Sequence, residues 1–299
     1  MREIVVYYVD AFTDIPFGGN PAGVVPDAAG LSEAEMQKIA RELNLSETAF
    51  CVKSDRPGVD FTVRYFTPAT EIDFCGHATV GLSWILATEY GWLTRADRVV
   101  LETNVGLVPV EWRKQGEQLE AVVMSQVAPR TREAKVAVEE IAEILGIPVA
   151  EIDRQYPLRL GYTGNWHLLV PVKSRQAIDQ ARPDLARLAR LNREDGVSTT
   201  HLFTFNGVDA EAQIYTRDFA PAVGVSEDPV TGSANGALAG YLVLEGILDK
   251  TKEHLLHIAQ GHAVGRPGKL FARIVPQEAT PLIQVGGKAV PTIRGALLL

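Results

Sequence analysis

The segment FCGHATVG, residues 74–81, stops at Cys-Gly-His and then enters an apolar run with almost no polar face. TGSANGAL, residues 231–238, repeats the same grammar. After Gly76 the chain reads HATVGLSWILA, and after Gly232 it reads SANGALAGYLVL, both without a charged residue. A helix that is apolar all round, yet too short for a bilayer, belongs inside the protein. Two such helices are expected, each starting at a glycine break and each enclosed by other elements. Their small residues let neighbouring backbone come close.

The flanking sequence supplies the enclosure. Strand-like segments precede and follow the first break at 4–12, 48–52, 61–66, 98–102, 107–112 and 119–124. Others surround the second at 158–162, 167–172, 201–205, 212–219, 255–259, 270–275, 282–285 and 290–298. TDIPFGGNPAG, residues 13–23, reads as turn chemistry. A helix follows it, with Ser32 and Glu35 as a capping box and Leu31 and Met36 as a hydrophobic staple. Further helices are expected at 138–145, 175–180 and 183–191. The polar stretch QVAPRTREAK, residues 126–135, marks the boundary between domains. The economical architecture is a sheet curled around a central helix, made twice: an α+β fold.

Three echoes in the same order support an internal duplication. GNPAGVV at 19–25 resembles GNWHLLV at 164–170, and LSETAF at 45–50 resembles VSTTHLF at 197–203. FTP with DFCGHA resembles FAP with EDPVTGSA.

Composition narrows the function. The 299 residues carry 29 Lys and Arg against 37 Asp and Glu, a net charge of −8, without basic runs. Such a chain is a poor candidate for nucleic acid or an anionic membrane. No stretch approaches the length of a membrane span, and residues 4–9 read as a strand, not as a signal sequence. Two cysteines, Cys51 and Cys75, give no disulfide framework, and a cytoplasmic location is expected.

The chemistry centres on the two breaks. The first amides of a buried helix lack partners within the helix and carry its positive dipole end. Gly76 and Gly232 would let a small anion such as a carboxylate approach them. Glu47, in the apolar and hydroxyl-bearing LSETAF, is the candidate general base; poor solvation would raise its pKa. Its duplication counterpart, Thr199, cannot do this, so the site is expected to be asymmetric. His77 in the first helical turn is expected to be neutral, because the dipole lowers its proton affinity. Ser233 takes the matching place and also reads as an N-terminal cap. Asp73 and Asp228 precede the breaks and either could cap its helix; Asp228 could also orient His77 or hold a substrate hydroxyl or amine. A helix N-terminus would lower the Cys75 thiol pKa. Cys75-x-His77 and His254-x-x-His257 do not make four convergent ligands, so no metal is expected. Neither a P-loop nor a dinucleotide fingerprint is present.

DAFTDIPFGGNPAGVV, LNLSETAF, RYFTPATEIDFCGHATVG and EDPVTGSANGALAGYL together resemble the phenazine-biosynthesis PhzF-like isomerase family, in order and over nearly the whole chain. The resemblance implies the diaminopimelate-epimerase-like fold: two pseudo-symmetric domains, each a β-barrel around a central buried α-helix, with the site in the cleft between them. The domains would be 1–128 and 129–285, with the strand at about 286–299 returning to the first. The resemblance further implies a cofactor-free homodimer acting on a small carboxylate, in the manner of trans-2,3-dihydro-3-hydroxyanthranilate isomerisation. It places the base at Glu47 and other catalytic residues at His77, Asp228 and Ser233. Asn20, Asp73, Gly76 and Gly232 are the expected substrate contacts. Epimerases of that fold use one cysteine from each half. Cys75 faces Thr231 in the echo, which argues against that mechanism and leaves Cys75 as a tolerated small residue. Two other readings stand beside this one: a racemase or epimerase with Glu47 and Asp228 as two bases, and a non-catalytic carboxylate-binding protein.

Overall fold

The computed structural model describes residues 2–208 and 210–299. The chain forms two compact units, Met1–Ser125 with Gly286–Leu299, and Gln126–Val285.

In the first unit, strand Glu3–Ala11 pairs antiparallel with Asn20–Val25 and with the last strand, Ala289–Leu298. Asn20–Val25 runs parallel to Thr48–Lys53, a connection that requires a crossover. Helix Glu33–Leu43 supplies it. Ser32 and Glu35 close the capping box, Leu31 and Met36 are both buried, and Asn44 ends the helix in a left-handed conformation at φ 52°. Thr48–Lys53 then pairs antiparallel with Phe61–Phe66. Phe61–Phe66 takes a short antiparallel return, Glu71–Ile72, and a parallel neighbour, Arg98–Thr103.

Between those two neighbours lies helix Gly76–Glu89, buried continuously from His77 to Ser83. It packs against strands from both ends of its sheet, including Ala289–Leu298 and Gln118–Ser125, so the sheet wraps it. Gly81 shows why small residues recur there. A Cβ at Gly81 would stand 3.3 Å from Val9 Cβ.

The second unit repeats this plan. Trp166–Pro171 runs parallel to Thr199–Thr204, which pairs antiparallel with Ile214–Ala220. Ile214–Ala220 takes a short antiparallel return, Val225–Asp228, and a parallel neighbour, His254–Gln260. Helix Gly232–Leu244 lies between them and is buried from Ala234 to Val243. It touches Arg130–Glu133, Arg159–Tyr162 and Gly268–Val275. The pairing order matches step for step, which makes the duplication a property of the fold.

Two segments differ from the sequence reading. Asn20–Val25 is a strand, not a turn. Gly19 makes the turn, at φ 55°, and pairing on both sides holds Pro21 and Gly23 extended. Arg130–Glu133, within the stretch expected to be a linker, is also a strand. The Arg130 guanidinium lies 4.0 Å from the Tyr162 ring centre and that of Arg132 lies 4.6 Å from Trp166, so polar side chains cover the aromatic face. Among the described residues, no helix is long and apolar enough to cross a membrane.

Candidate active site

Glu47 immediately precedes strand Thr48–Lys53, where its carbonyl accepts from Gly23 N–H at 2.9 Å. The parallel crossover thus fixes its backbone. Its carboxylate Oε2 lies 3.2 Å from His77 Nε2, and both side chains are mostly buried. Among the described residues Oε2 is buried and receives no aligned hydrogen bond, so the contact is an ion pair. The other ring nitrogen of His77, Nδ1, lies 3.5 Å from Cys75 Sγ.

Ionisation states in this cluster reverse three expectations. Burial pushes the Glu47 pKa up, but His77, then Ser46 and Cys75, hold the carboxyl below its ordinary value. Burial pushes His77 down, but the neighbouring Cys75 sulfur and Glu47 carboxylate raise it well above the ordinary histidine value. The Cys75 sulfur, ahead of the Glu47 carboxylate, thus outweighs burial and favours the protonated imidazole. Burial, then the Glu47 charge, raises the Cys75 thiol, so its place at a helix start does not make it reactive.

Cys75 is the N-cap residue of helix Gly76–Glu89, and its side chain makes no capping bond. The nearest atom to a Cβ built on Gly76 is Met124 Cε, at 3.8 Å. Packing therefore does not require glycine there, and the bare backbone leaves the first amides open to a ligand.

In the second unit, the N-cap of helix Gly232–Leu244 is Thr231, not Ser233, and again no side chain caps it. Ser233 sits one residue into the helix, and its carbonyl accepts from Thr163 Oγ1 at 3.1 Å. The Thr231 hydroxyl instead makes a short hydrogen bond with Asp228 Oδ2 and lies 3.1 Å from Asp218 Oδ2. It has one proton, so it donates to one carboxylate at a time. Gln260 closes the turn: its Nε2 donates to the Asp228 carbonyl at 2.9 Å, and its Oε1 accepts from Thr231 N–H at 3.1 Å and from Asn235 Nδ2 at 2.8 Å. His201, fully buried, spans Asp218 Oδ1 at 2.9 Å and Asn235 Oδ1 at 3.2 Å. On the adjoining strand Arg217 forms a two-pronged pair with Glu227, next to Asp228.

The structure thus brings Glu47, Gly76 and His77 together in one unit, and Asp228, Gly232 and Ser233 together in the other. Asn20 is buried at the start of the strand whose Gly23 holds Glu47. Asp73 is exposed and is not the counterpart of Asp228. The register pairs Asp218 with Asp228 and Tyr65 with Ile72, so Ile72 fills that role. Asp218, Gln260, His201 and Asn235 escaped the sequence reading, and Thr231 entered it only as the position opposite Cys75. One signal was available: Thr79 and Asn235 are polar residues at the same step of two apolar helices, and both bond to partners on the surrounding sheet.

Residues 9–295 match the family model described as "Phenazine biosynthesis-like protein". The chain belongs to the PhzF family. An uncharacterized isomerase of Deinococcus radiodurans is 41% identical over 286 residues, covering 94% of this chain and 90% of that one. The trans-2,3-dihydro-3-hydroxyanthranilate isomerase of Pseudomonas fluorescens is 34% identical over 293 residues, covering 97% and 98%. A crystal structure of a Bacillus anthracis phenazine biosynthesis protein of the PhzF family is 33% identical, covers both chains fully and superposes with a TM-score of 0.90. The PhzF fold is therefore this chain's fold, with its repeated sheet-wrapped helix, and this PhzF member is an isomerase.

Proposed function

We propose that this isomerase moves a carbon-bound proton on a small carboxylate, trans-2,3-dihydro-3-hydroxyanthranilate or a close analogue, with Glu47 as general acid and base. The observation that carries this reading is the Glu47–His77 pair. It is a carboxylate kept ionised in a mostly buried setting, beside an uncapped helix start. The amides after Cys75 and after Thr231 would bind the substrate carboxylate, in a cleft shared by the two halves as the resemblance implies. Glu47 takes a proton made acidic by an adjacent conjugated system. Fixed donors stabilise the charge that develops on the substrate, and Glu47 returns the proton at another carbon on the same face. His77 stays a cation and limits the cost of the changing carboxyl charge. Asp228 and Ser233 hold ring substituents, with Asn20, Asp73, Gly76 and Gly232 as further contacts. A homodimer and a cytoplasmic location complete the reading and rest on the resemblance.

Mass spectrometry of deuterium uptake from D₂O tests it. Native protein should label dihydro-3-hydroxyanthranilate at the carbon that receives the proton, and Glu47→Gln should not. Uptake with inversion at a single carbon would favour an epimerase using Glu47 and Asp228. Binding without uptake would favour a carboxylate-binding protein.

A further inference from the structure

Two side-chain amides behind Asp228 have only one orientation that their neighbours allow. One end of Gln260 faces the Asp228 carbonyl at 2.9 Å, which can only accept, and the other faces Thr231 N–H at 3.1 Å, which can only donate. Gln260 Oε1 is therefore the acceptor, and the end of Asn235 that meets it at 2.8 Å is the NH₂ group. That NH₂ also donates to the Thr231 carbonyl at 2.9 Å. The opposite end of Asn235 is then its oxygen, and His201 Nε2, 3.2 Å away, is a donor.

A neutral imidazole has one N–H, and Nε2 carries it. Yet Nδ1 stands 2.9 Å from Asp218 Oδ1, its direct partner in the strand register, and both side chains are fully buried. Two acceptors at that distance, away from water, need a hydrogen between them. The oxygen does not supply it, because Thr199 Oγ1 donates to the same Oδ1 at 2.7 Å and both its lone pairs are used. The hydrogen belongs to Nδ1. The pair is an imidazolium and a carboxylate, with no net charge to bury.

Asp218 is thus supplied with two hydrogens before Thr231 is counted. The Thr231 hydroxyl accepts from Gln260 Nε2 at 3.1 Å and has a single hydrogen to give. It goes to Asp228, the shorter of its two carboxylate contacts.

We propose that His201 carries hydrogen on both ring nitrogens and that His201 and Asp218 are positioning residues: they commit the Thr231 hydroxyl to Asp228 and so fix the aim of that carboxylate. The effect on turnover rests on Asp228 holding substrate, as proposed above; the placement of the hydrogens does not.

Nitrogen-15 NMR of the histidine rings, assigned through bonds, tests the placement without substrate. At neutral pH His201 should show two protonated nitrogens, and Asp218→Asn should reduce them to one. His167, which meets the same Thr199 hydroxyl at 2.7 Å and is pushed down to about 4 by burial above all, should read as neutral in the same spectrum. Asp218→Asn and Thr231→Val should each lower kcat for dihydro-3-hydroxyanthranilate by up to about 100-fold. The double variant should be no worse than either, since both remove one device. Thr231→Ser, which keeps the hydroxyl, should recover most of the loss seen in Thr231→Val. Circular dichroism establishes folding; if Asp218→Asn does not fold, the two Thr231 variants decide. A single protonated nitrogen on native His201 overturns the placement. Wild-type kcat in the folded variants, or losses that add in the double variant, overturn the positioning role. Native protein that turns over nothing counts against the proposed reaction, and the nitrogen signature still decides the placement.

Discussion

Glu47 Oε2 stands 3.2 Å from His77 Nε2, close enough for an ion pair, yet it accepts no aligned hydrogen bond among the described residues. The contact helps to keep the carboxylate charged. Glu47→Gln preserves the shape and removes the charge. Turnover should fall by at least about 10²–10⁴-fold, the usual contribution of a general base. In the same variant His77 should titrate lower, because its carboxylate neighbour is gone. NMR of the ring protons checks this, and an unshifted His77 would deny the pairing.

The pair also fixes a pH profile. Glu47 is lowered, so its contribution to stability is present above the unfolded glutamate pKa and is lost as pH falls through the folded value. His77 is raised, so its contribution is complete below the unfolded histidine pKa and is lost as pH rises through the folded value. Activity should therefore stay level across neutral pH and decline in acid only below the ordinary glutamate range. A kcat/KM profile with an acid limb near pH 6 would contradict this.

His167 acts in the opposite sense. It is fully buried, and burial first of all pushes it down to about 4. Its stabilisation is complete above the unfolded pKa of about 6.5 and is lost as pH falls from there toward 4. The whole effect is on the order of 3 kcal/mol. Urea unfolding at pH 7 and pH 5 should show the loss, and His167→Gln should flatten the slope between them.

Two glycines of one helix should respond oppositely to a methyl group. At Gly81 the added carbon meets Val9 at 3.3 Å, and overpacking should cost about 1–3 kcal/mol. At Gly76 the space is open, and alanine should add about 0.4–1 kcal/mol through the unfolded state. Gly76→Ala should nonetheless raise KM, because its Cβ stands near the amides that would bind the substrate. Thermal unfolding and steady-state kinetics on the two variants measure both effects.

Gln260→Leu isolates the support behind Asp228. It removes the hydrogen bonds that Gln260 makes with the Asp228 carbonyl, Thr231 N–H and Asn235 Nδ2. The expected cost is about 1–3 kcal/mol in stability. Loss of aim at Asp228 should also lower kcat by up to about 100-fold. Wild-type kcat in the destabilised variant would show that the network serves folding alone.

The parts of the fold legible in the sequence were those with a local cause. The capping box at Ser32 and Glu35, and the uncharged runs after Gly76 and Gly232, depend on neighbours a few residues away. Asn20–Val25 was missed because Pro21 and Gly23 carry turn chemistry, and only pairing with distant strands overrides it. Arg130–Glu133 was missed because its stabilisation comes from Tyr162 and Trp166 across the sheet. Within the site, Glu47 and His77 could be named from sequence, but their charges could not, since each is set by the other. Asp218, Thr231 and Gln260 meet only after two hairpins and a helix have folded, so no spacing announces them.

The last strand carries a consequence for synthesis. Ala289–Leu298 pairs along the whole of Glu3–Ala11, and Arg2 and Leu299 exchange two backbone hydrogen bonds, at 2.7 and 2.8 Å. The unit that holds Glu47 therefore lacks one edge of its sheet until residue 298 has left the ribosome. The unit built from residues 126–285 is continuous in the chain and can mature while its neighbour waits. During translation the unit made second can therefore close before the first, whose sheet is complete only with the last strand.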